Sequence, residues 1–339
     1  MEGQEVAIMK ILFVWTGLTS YMGDCWRELA KRSDIDLKII VVIEKRNAVQ
    51  ISFQAEDVLR GLDYKLVDDN AAFPDLGGWR PDIVFSVGWR SRVCRYFVED
   101  KAWKGIPKVC CFDMPWRWKF RCLVAPLVLG RFLRNYDAAF VPGVVCERYA
   151  KWLGFKRIFK GLFGIKTERF YNAIRRDEKS YLLYVGRNSP EKRLDVLQEG
   201  YRLYRERGGK LELRLYGKDL ANGFVEPEKV PGLMKSAAAF VLASDFDPWP
   251  LVLLESMSAG SMIVASDRCT NRPELGKNWF VFKHGKPEGL ARELARVENA
   301  VSGDVDVILG ENRNLAAQYD CAEWVKRVDS ICREFNLKG

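Results

Sequence analysis

The chain has 339 residues, 48% of them hydrophobic, and a formal net charge of +9. Its length predicts two domains, because one domain usually holds about 100–200 residues. The single histidine, His284, excludes a histidine cluster around a metal ion, and nine cysteines without a Cys-x-x-Cys pair argue against a disulfide framework or a structural zinc site.

Neither a targeting segment nor a transmembrane segment is predicted. The chain begins with the acidic stretch 1–5, where a signal peptide would be basic. The apolar run 123–130 is shorter than the about 20 residues that cross a bilayer. We therefore expect a cytoplasmic protein, with the inner face of the membrane as the alternative location.

The N-terminal half alternates short apolar segments with amphipathic ones. The apolar segments are rich in β-branched residues and predict buried strands, whereas stretches such as 24–31 and 144–152 predict helices. The predicted strands are 11–15, 37–43, 83–87, 109–112 and 138–141. Alternating strands and helices indicate a parallel sheet with right-handed crossovers.

A basic and aromatic segment lies within this half. From Val87 to Arg134 there are 11 Lys or Arg residues and 3 Asp or Glu residues. Its most regular part consists of Trp116, Arg117, Trp118, Lys119 and Arg121. The segment Trp116–Arg134 continues into the apolar run 123–133, and this composition is typical of a helix in a membrane interface. We therefore predict that Trp116–Arg134 contacts an anionic membrane or a lipid-linked acceptor. A core helix with a solvated basic end is the alternative, and nucleic acid is not expected as a partner.

The alternating pattern restarts after the charged segment 166–179, which we interpret as a linker. Strands are predicted at 181–185, 211–216, 239–242, 262–265 and 280–282, and helices at 191–207, 251–259, 287–300 and 312–335. The predicted fold is therefore α/β with two Rossmann-like, doubly wound domains, residues 1–165 and 166–311, followed by a C-terminal helix in 312–339. Ligands of such sheets bind beyond the carboxyl ends of the strands, so we expect a cleft between the domains.

The first candidate site follows the strand 181–185. Gly186 permits a tight turn, Ser189 can cap a helix, and Pro190 suits the first helical position. Arg187 and Lys192 flank that helix N-terminus, whose free N–H groups favour anions. The segment predicts a diphosphate site, with an ordinary strand–helix connection as the alternative.

The second candidate site lies around the predicted helix 251–259. Asp247 precedes this helix, Pro250 is predicted as its first residue, and Glu255 lies within it. The two carboxylates bracket the free N–H groups of Leu251 and Val252. Because carboxylates accept hydrogen bonds from vicinal hydroxyl groups, the segment predicts a site for ribose or a hexose. A capping acid and a solvated acid are the alternative interpretation.

Together these two segments resemble those of the retaining glycosyltransferases with the GT-B fold, family four (glycosyl transferases group 1). Residues 186–192 resemble the diphosphate-binding segment of that family, and residues 247–255 resemble its motif of two glutamates. Residues 258–260, 263–267 and 273–275 extend the similarity, which is weaker over 9–170.

The resemblance implies a hexosyltransferase without a cofactor or a metal, which moves a sugar with retention from a UDP- or GDP-type donor to an acceptor hydroxyl. The acceptor would be a glycan, a lipid-linked sugar or a small molecule in glycan, glycolipid or glycoconjugate biosynthesis. Arg187 and Lys192 would bind the donor diphosphate, and Glu255 would bind the ribose. Asp247 would contact the donor sugar or stabilise the reacting centre. The last helix would return to the N-terminal domain.

The N-terminal half supplies further candidates by resemblance. The family has a glycine-rich loop after its first strand, and here the loop 16–23 offers Gly17 and Gly23 for a close backbone approach to the diphosphate. The family often has a histidine after its fourth strand, and here Asp113 replaces it as the catalytic candidate beside Asp247.

Because of two departures from the family pattern, the identity of the donor sugar and the rate of the reaction are not predicted. Pro250 stands where a glycine is usual, and Asp247 is one methylene shorter than the usual glutamate. A sugar-nucleotide epimerase of the same architecture is an alternative function that the single histidine disfavours. A non-catalytic partner that binds a nucleotide or a membrane is the other alternative, whereas no G-x-G-x-x-G motif supports a dehydrogenase.

Overall fold

A computed structural model describes residues 8–44, 55–117, 119–171, 180–301 and 305–337. The chain divides into an N-terminal unit, Met1–Gly164 with Cys321–Gly339, and a C-terminal unit, Ile165–Asp320. Trp118 and residues 172–179 of the predicted linker lie outside the described residues. Among the helices that are described, none has the length and apolarity of a membrane-spanning segment.

The N-terminal unit is built on a parallel sheet with the strand order β3-β2-β1-β4-β5-β6-β7. The strands are β1 (Met9–Thr16), β2 (Ile35–Ile43), β3 (Asp63–Asp68), β4 (Ile83–Val87), β5 (Lys108–Cys111), β6 (Ala138–Val141) and β7 (Ile158–Lys160). All five predicted strands are confirmed. The two strands that were not predicted are edge strands: β3 is exposed except at Val67, and β7 has only three residues.

Helices connect these strands. They are α1 (Ser20–Ala30), α2 (Arg92–Glu99), α3 (Phe120–Leu133) and α4 (Val144–Trp152). The direction of the strand order changes between β1 and β4, so the loops after these two strands diverge and leave a crevice at the carboxyl edge.

The C-terminal unit has a second parallel sheet, in the order β12-β11-β10-β8-β9. Its strands are β8 (Tyr181–Val185), β9 (Glu212–Tyr216), β10 (Ala237–Leu242), β11 (Met262–Ser266) and β12 (Phe280–Phe282). Its helices are α5 (Leu194–Glu206), α6 (Val230–Ser236), α7 (Leu251–Ser258), α8 (Arg272–Leu275), α9 (Pro287–Val301) and α10 (Asp306–Ala317). The predicted α/β class with two Rossmann-like domains is confirmed.

The last predicted helix, 312–335, is in fact two helices. α10 packs against α7 within the C-terminal unit, and α11 (Cys321–Glu334) packs against α1 within the N-terminal unit. At the break, the carboxylate of Asp320 accepts hydrogen bonds from the backbone N–H and the hydroxyl of Thr167 at 3.1 and 2.6 Å.

Trp324 anchors α11 in the core of the N-terminal unit. The side chain is fully buried, its indole N–H donates to the carbonyl of Leu162 at 2.8 Å, and its ring lies 5.9 Å from that of Phe13 on β1. Arg32, which follows α1, forms an ion pair with Asp329 on α11. The C-terminal residues are therefore part of the first sheet's core.

We expect the substitution Trp324→Ala to lower the free energy of unfolding of the N-terminal unit by about 3–5 kcal/mol, as large-to-small changes in cores do. Urea denaturation followed by far-UV circular dichroism measures this loss. Leu127→Ala, at a position 87% exposed in the same unit, is the control with little expected effect. An unchanged midpoint for Trp324→Ala would show that α11 does not stabilise the unit.

Candidate active site

The loops after β8 and β9 contact each other through glycines. A Cβ atom on Gly217 would lie 2.1 Å from the carbonyl oxygen of Gly186, so the loop after β9 tolerates no side chain at this contact. The hydroxyl of Tyr184 donates to the carbonyl of Arg187 at 2.8 Å and fixes the first loop. The turn predicted at Gly186 thus lies where the backbones of the loops after β8 and β9 approach each other closely.

These two loops line a cavity of about 400 Å³ at the carboxyl edge of the second sheet. Tyr216 and Phe224 contribute aromatic rings, and Lys218 contributes a cation. The complete lining is Val185, Gly186, Arg187, Asn188, Tyr216, Gly217, Lys218, Asp219, Phe224 and Val225. Tyr216 and Phe224 were not predicted as site residues, although Tyr216 is the last residue of the predicted strand 211–216.

The diphosphate segment begins with a 3-10 turn, Pro190–Lys192, and α5 begins only at Leu194. Ser189 is the N-cap residue of this 3-10 turn and Pro190 is its first residue, as predicted, but the Ser189 side chain makes no capping hydrogen bond and the α-helix predicted from 191 begins three residues later. The cause is Arg193, whose backbone is left-handed with φ 50° and interrupts the helical path. The guanidinium of Arg193 donates to Asp245 at 2.9 Å, which ties this segment to the loop after β10.

Lys192 and Asp247 bring the two predicted motifs into contact. The ammonium of Lys192 lies 2.5 Å from a carboxylate oxygen of Asp247, and the two side chains are 16% and 9% exposed. Arg187 differs, because its side chain is 81% exposed and its guanidinium lies 3.7 Å from Glu191. Lys192 is thus the fixed cation of the site, and Arg187 extends into solvent.

The loop before α7 is held by the loop after β11. The N–H of Thr270 donates to the carbonyl of Asp247 at 3.2 Å, and the side-chain amide of Asn271 donates to the carbonyl of Pro250 at 3.2 Å. Pro250 is the N-cap, one residue before the position that the sequence predicts, so Leu251 and Val252 provide the first N–H groups of α7. These N–H groups have no partner within the helix.

Glu255 lies partly buried on α7. Burial raises the pKa of its carboxyl group to about 7, and the positive charge of Arg169 opposes that rise only in part. A carboxyl group in this environment gains from hydroxyl donors that replace lost water, because they stabilise the charged form.

In the N-terminal unit, Gly17, Asp113 and Arg121 line one cavity of about 590 Å³ at the carboxyl ends of β1, β4 and β5. Gly17 has φ +91°, and a Cβ added there would meet no atom within 4 Å. Gly23 has another role than the predicted one, because it lies on α1 and a Cβ there would be 2.4 Å from the carbonyl oxygen of Val58. Gly23 therefore serves helix packing.

The basic and aromatic segment divides into buried and exposed parts. Trp116 is half-buried, with its ring 6.0 Å from that of Tyr149 and 5.2 Å from that of Trp152, and Arg117 is half-buried as well. Trp118 is not described, and Lys119 and Arg121 are exposed. The exposed apolar side chains of the segment lie on α3 and are Phe120, Leu123, Leu127 and Val128.

Comparison with known proteins gives a family match and a set of similar structures. Residues 166–313 match the family model described as Glycosyl transferases group 1, and a search of the curated proteins finds no match. The structure of Anabaena HepE in complex with UDP and glucose is 14% identical, with TM-score 0.69 over 96% of this chain and 100% of that chain. A Rickettsia africae glycosyltransferase is 13% identical, with TM-score 0.73 over 96% and 98%. The galactosyltransferase WaaB of the lipopolysaccharide outer core is 17% identical, with TM-score 0.68 over 95% and 98%.

The raised pKa of Glu255 makes stability depend on pH. The folded-state pKa of about 7 exceeds the ordinary value of 4.5, so the protonated carboxyl stabilises the fold at low pH and this contribution is lost as pH rises through about 7. From about pH 5 to about pH 8 we expect wild type to lose up to about 3 kcal/mol relative to Glu255→Gln.

Urea denaturation at a series of pH values measures this difference. Glu288→Gln, at an exposed position of the same unit, is the control that should keep the wild-type pH profile. Parallel profiles for wild type and Glu255→Gln would contradict the raised pKa.

Proposed function

Residues 166–313 match the model of the glycosyl transferases of group 1, and we propose that this chain is a hexosyltransferase that moves a sugar from a nucleotide sugar to an acceptor hydroxyl with retention of configuration. The observation that carries the proposal is the 2.5 Å ion pair between Lys192 and Asp247. This pair holds a cation for the diphosphate next to a carboxylate for the sugar, so one site can recognise both parts of the donor.

The donor would occupy the carboxyl edge of the C-terminal sheet. Its base would lie against Tyr216 and Phe224, whose rings suit stacking, in a cavity of about 400 Å³. Its ribose hydroxyls would donate to Glu255, and its diphosphate would contact Lys192, Arg187 and the N–H groups that begin α7. HepE was solved with UDP and glucose, which supports a UDP-type donor before a GDP-type donor.

Lys192 can bind the donor without releasing Asp247. An ammonium group has three N–H donors, and Asp247 takes one of them. Two donors are left for oxygens of the diphosphate. Asp247 would then keep its position beside Lys192 and accept a hydrogen bond from a hydroxyl of the donor sugar.

The reaction breaks the bond between the anomeric carbon and the diphosphate oxygen and forms a bond from that carbon to the acceptor oxygen. Negative charge grows on the leaving diphosphate, and fixed positive groups there lower the barrier. Asp247 is committed to Lys192 and does not act as a nucleophile, so the acceptor attacks from the face that the diphosphate leaves. A diphosphate oxygen takes the acceptor proton, and Asp113 orients the acceptor hydroxyl.

Incubation of the purified protein with UDP-glucose, UDP-galactose and GDP-mannose tests this function. Proton NMR of the sugar released or transferred is expected to show the donor's anomeric configuration, and excess chelator should leave the rate unchanged because protein cations serve the diphosphate. An inverted product would overturn retention. Epimerised donor would favour an epimerase, and a donor that binds but never reacts would favour a non-catalytic protein.

Substitutions of the two ion-pair residues are expected to affect different properties, donor binding for Lys192 and turnover for Asp247. Lys192→Ala should weaken UDP binding by about tenfold or more, since charge-assisted hydrogen bonds to phosphate contribute about 1.5–3 kcal/mol. Asp247→Asn should keep UDP binding and lose turnover, since it leaves the cation in place and removes the charged acceptor for the sugar. Titration calorimetry and donor turnover separate these effects, with the exposed Lys229→Ala as the control. Equal UDP affinity of Lys192→Ala and wild type would remove the diphosphate assignment.

We also propose that α3 lies on an anionic membrane surface. Its inward side chains Cys122, Ala125, Phe132 and Leu133 are buried, yet its outward face carries Phe120 and Leu127, 79% and 87% exposed, with Leu123 and Val128 between them. A helix that is apolar on both faces is buried in a protein or lies against lipid. Each apolar side chain that leaves water contributes about 1.5–3 kcal/mol, enough for four to hold the face at a lipid interface.

The charges around this face favour anionic lipid over another protein surface. No Asp or Glu occurs from 119 to 134, and the exposed cations are Lys119, Arg121, Arg131 and Arg134. Anionic headgroups attract such cations while the apolar side chains enter the interface. A second copy of the chain would bring the same positive charges against them.

Flotation with vesicles of phosphatidylcholine and phosphatidylglycerol tests this surface. Wild type should float at low salt and less at high salt, and Leu127→Asp with Val128→Asp should remain at the bottom. Val307→Asp, at an exposed apolar position of the C-terminal unit, is the matched control that should still float. If wild type does not float and the double variant instead converts a dimer into a monomer, the face is a contact between two copies.

A further inference from the structure

The backbone of Arg193 is left-handed, with φ 50° and ψ 52°, where the 3-10 turn of the diphosphate segment meets α5. Its N–H donates to the carbonyl of Pro190 at 3.3 Å, and its carbonyl accepts from the N–H of Leu197 at 3.1 Å, so this residue ends the turn and begins the helix. Glycine adopts such a backbone without the steric cost that a Cβ atom adds. Other residues stay there only where further contacts hold them, and they cluster at functional sites.

For Arg193 the further contacts come from its side chain, which lies between two carboxylates. Nε and Nη2 donate to the two oxygens of Asp195 at 2.8 and 2.7 Å, and Nη1 donates to Asp245 at 2.9 Å. Two parallel hydrogen bonds to one carboxylate fix the plane of a guanidinium. The side chain is 29% exposed, whereas that of Arg187 is 81% exposed. Arg193 is therefore committed to two acids of the protein.

Arg193 is the last of three successive residues that join the loop after β8 to the loop after β10. The carbonyl of Glu191 accepts from the N–H of Asp245 at 2.9 Å, and Arg193 donates to the Asp245 carboxylate. Asp245 is thus held through both its backbone and its side chain. It lies two residues before Asp247, so it sets the path of the backbone that brings the Asp247 carboxylate to Lys192.

We infer that Arg193 is a positioning residue, which acts through Asp245 to hold Asp247 against Lys192. The inference rests on the proposed transferase function and adds to it a residue that supports the site without binding the donor. Lys192 can still reach the diphosphate when the guanidinium is lost, whereas Asp247 is no longer fixed beside the donor sugar. Turnover should therefore fall more than nucleotide affinity, because small errors in position cost much of the rate.

Chemical labelling of Lys192 with acetic anhydride, read by mass spectrometry, tests the positioning without turnover. Its side chain is 16% exposed and paired with Asp247, so it should react slowly in wild type. Arg193→Gly suits the left-handed backbone and removes only the guanidinium, and it should speed this labelling several-fold, as should Asp247→Asn, toward the rate of the exposed Lys229. Arg202→Ala, which removes an ion-paired arginine from α5, is the matched control that should label like wild type. Unchanged labelling of Lys192 in Arg193→Gly would overturn the inference.

Turnover of the fastest donor among UDP-glucose, UDP-galactose and GDP-mannose separates positioning from a structural role. Arg193→Gly should lower kcat about tenfold or more and keep the Kd of the nucleoside diphosphate within about twofold. Arg193→Lys should fall between this variant and wild type, because it keeps the charge but loses the fork. In the Asp247→Asn background, Arg193→Gly should cause no further loss, because the residue through which it acts is already changed.

The outcomes distinguish this inference from the proposed function. Weaker nucleotide binding with unchanged kcat in Arg193→Gly would make Arg193 a ligand of the diphosphate and overturn the inference. A further loss of rate in the Asp247→Asn background would also overturn it. If wild type turns over none of the three donors while Arg193→Gly speeds the labelling of Lys192, the transferase function fails and the positioning of the ion pair by Arg193 stands.

Discussion

Every strand pair in both sheets is parallel, and this single constraint places the candidate residues. In a parallel sheet all the carboxyl ends meet at one edge, so residues far apart in the chain become neighbours there. Lys192 follows β8 and Asp247 follows β10, yet their side chains are 2.5 Å apart. Likewise Gly17 and Asp113, which follow β1 and β5, line one cavity.

The two carboxylates of the candidate site, Asp247 and Glu255, lie in different electrostatic environments. Asp247 is almost buried but has a cation against it, which offsets the cost of removing its charge from water. Glu255 is partly buried and forms no ion pair among the described residues, and burial raises its pKa to about 7 although the charge of Arg169 opposes the rise. The donor proposed here would supply what each acid lacks: a hydroxyl of the sugar for Asp247 and the ribose hydroxyls for Glu255.

The sequence predicts those helices and strands whose local hydrophobic pattern matches the structure that they form. Ten strands were predicted and found because nearly all of them are short apolar segments, whereas β3 was missed because only Val67 in it is buried. Local patterns also singled out Lys192 and Asp247, whose side chains form an ion pair in the structure. They could not reveal the left-handed backbone at Arg193 or the packing of Trp116 against Trp152, because both depend on neighbours that only the tertiary fold supplies.

The return of α11 to the first sheet sets an order in which the chain can fold during synthesis. Residues 165–320 are continuous in sequence, so the second unit has all its parts once they leave the ribosome. The first unit emerges earlier but lacks Trp324, and the core around Phe13 stays open until the C-terminal residues arrive. Domains commonly fold in the order of their synthesis, and here the first unit to emerge is the last that can be completed. Until then a nascent chain exposes apolar surface that would attract chaperones.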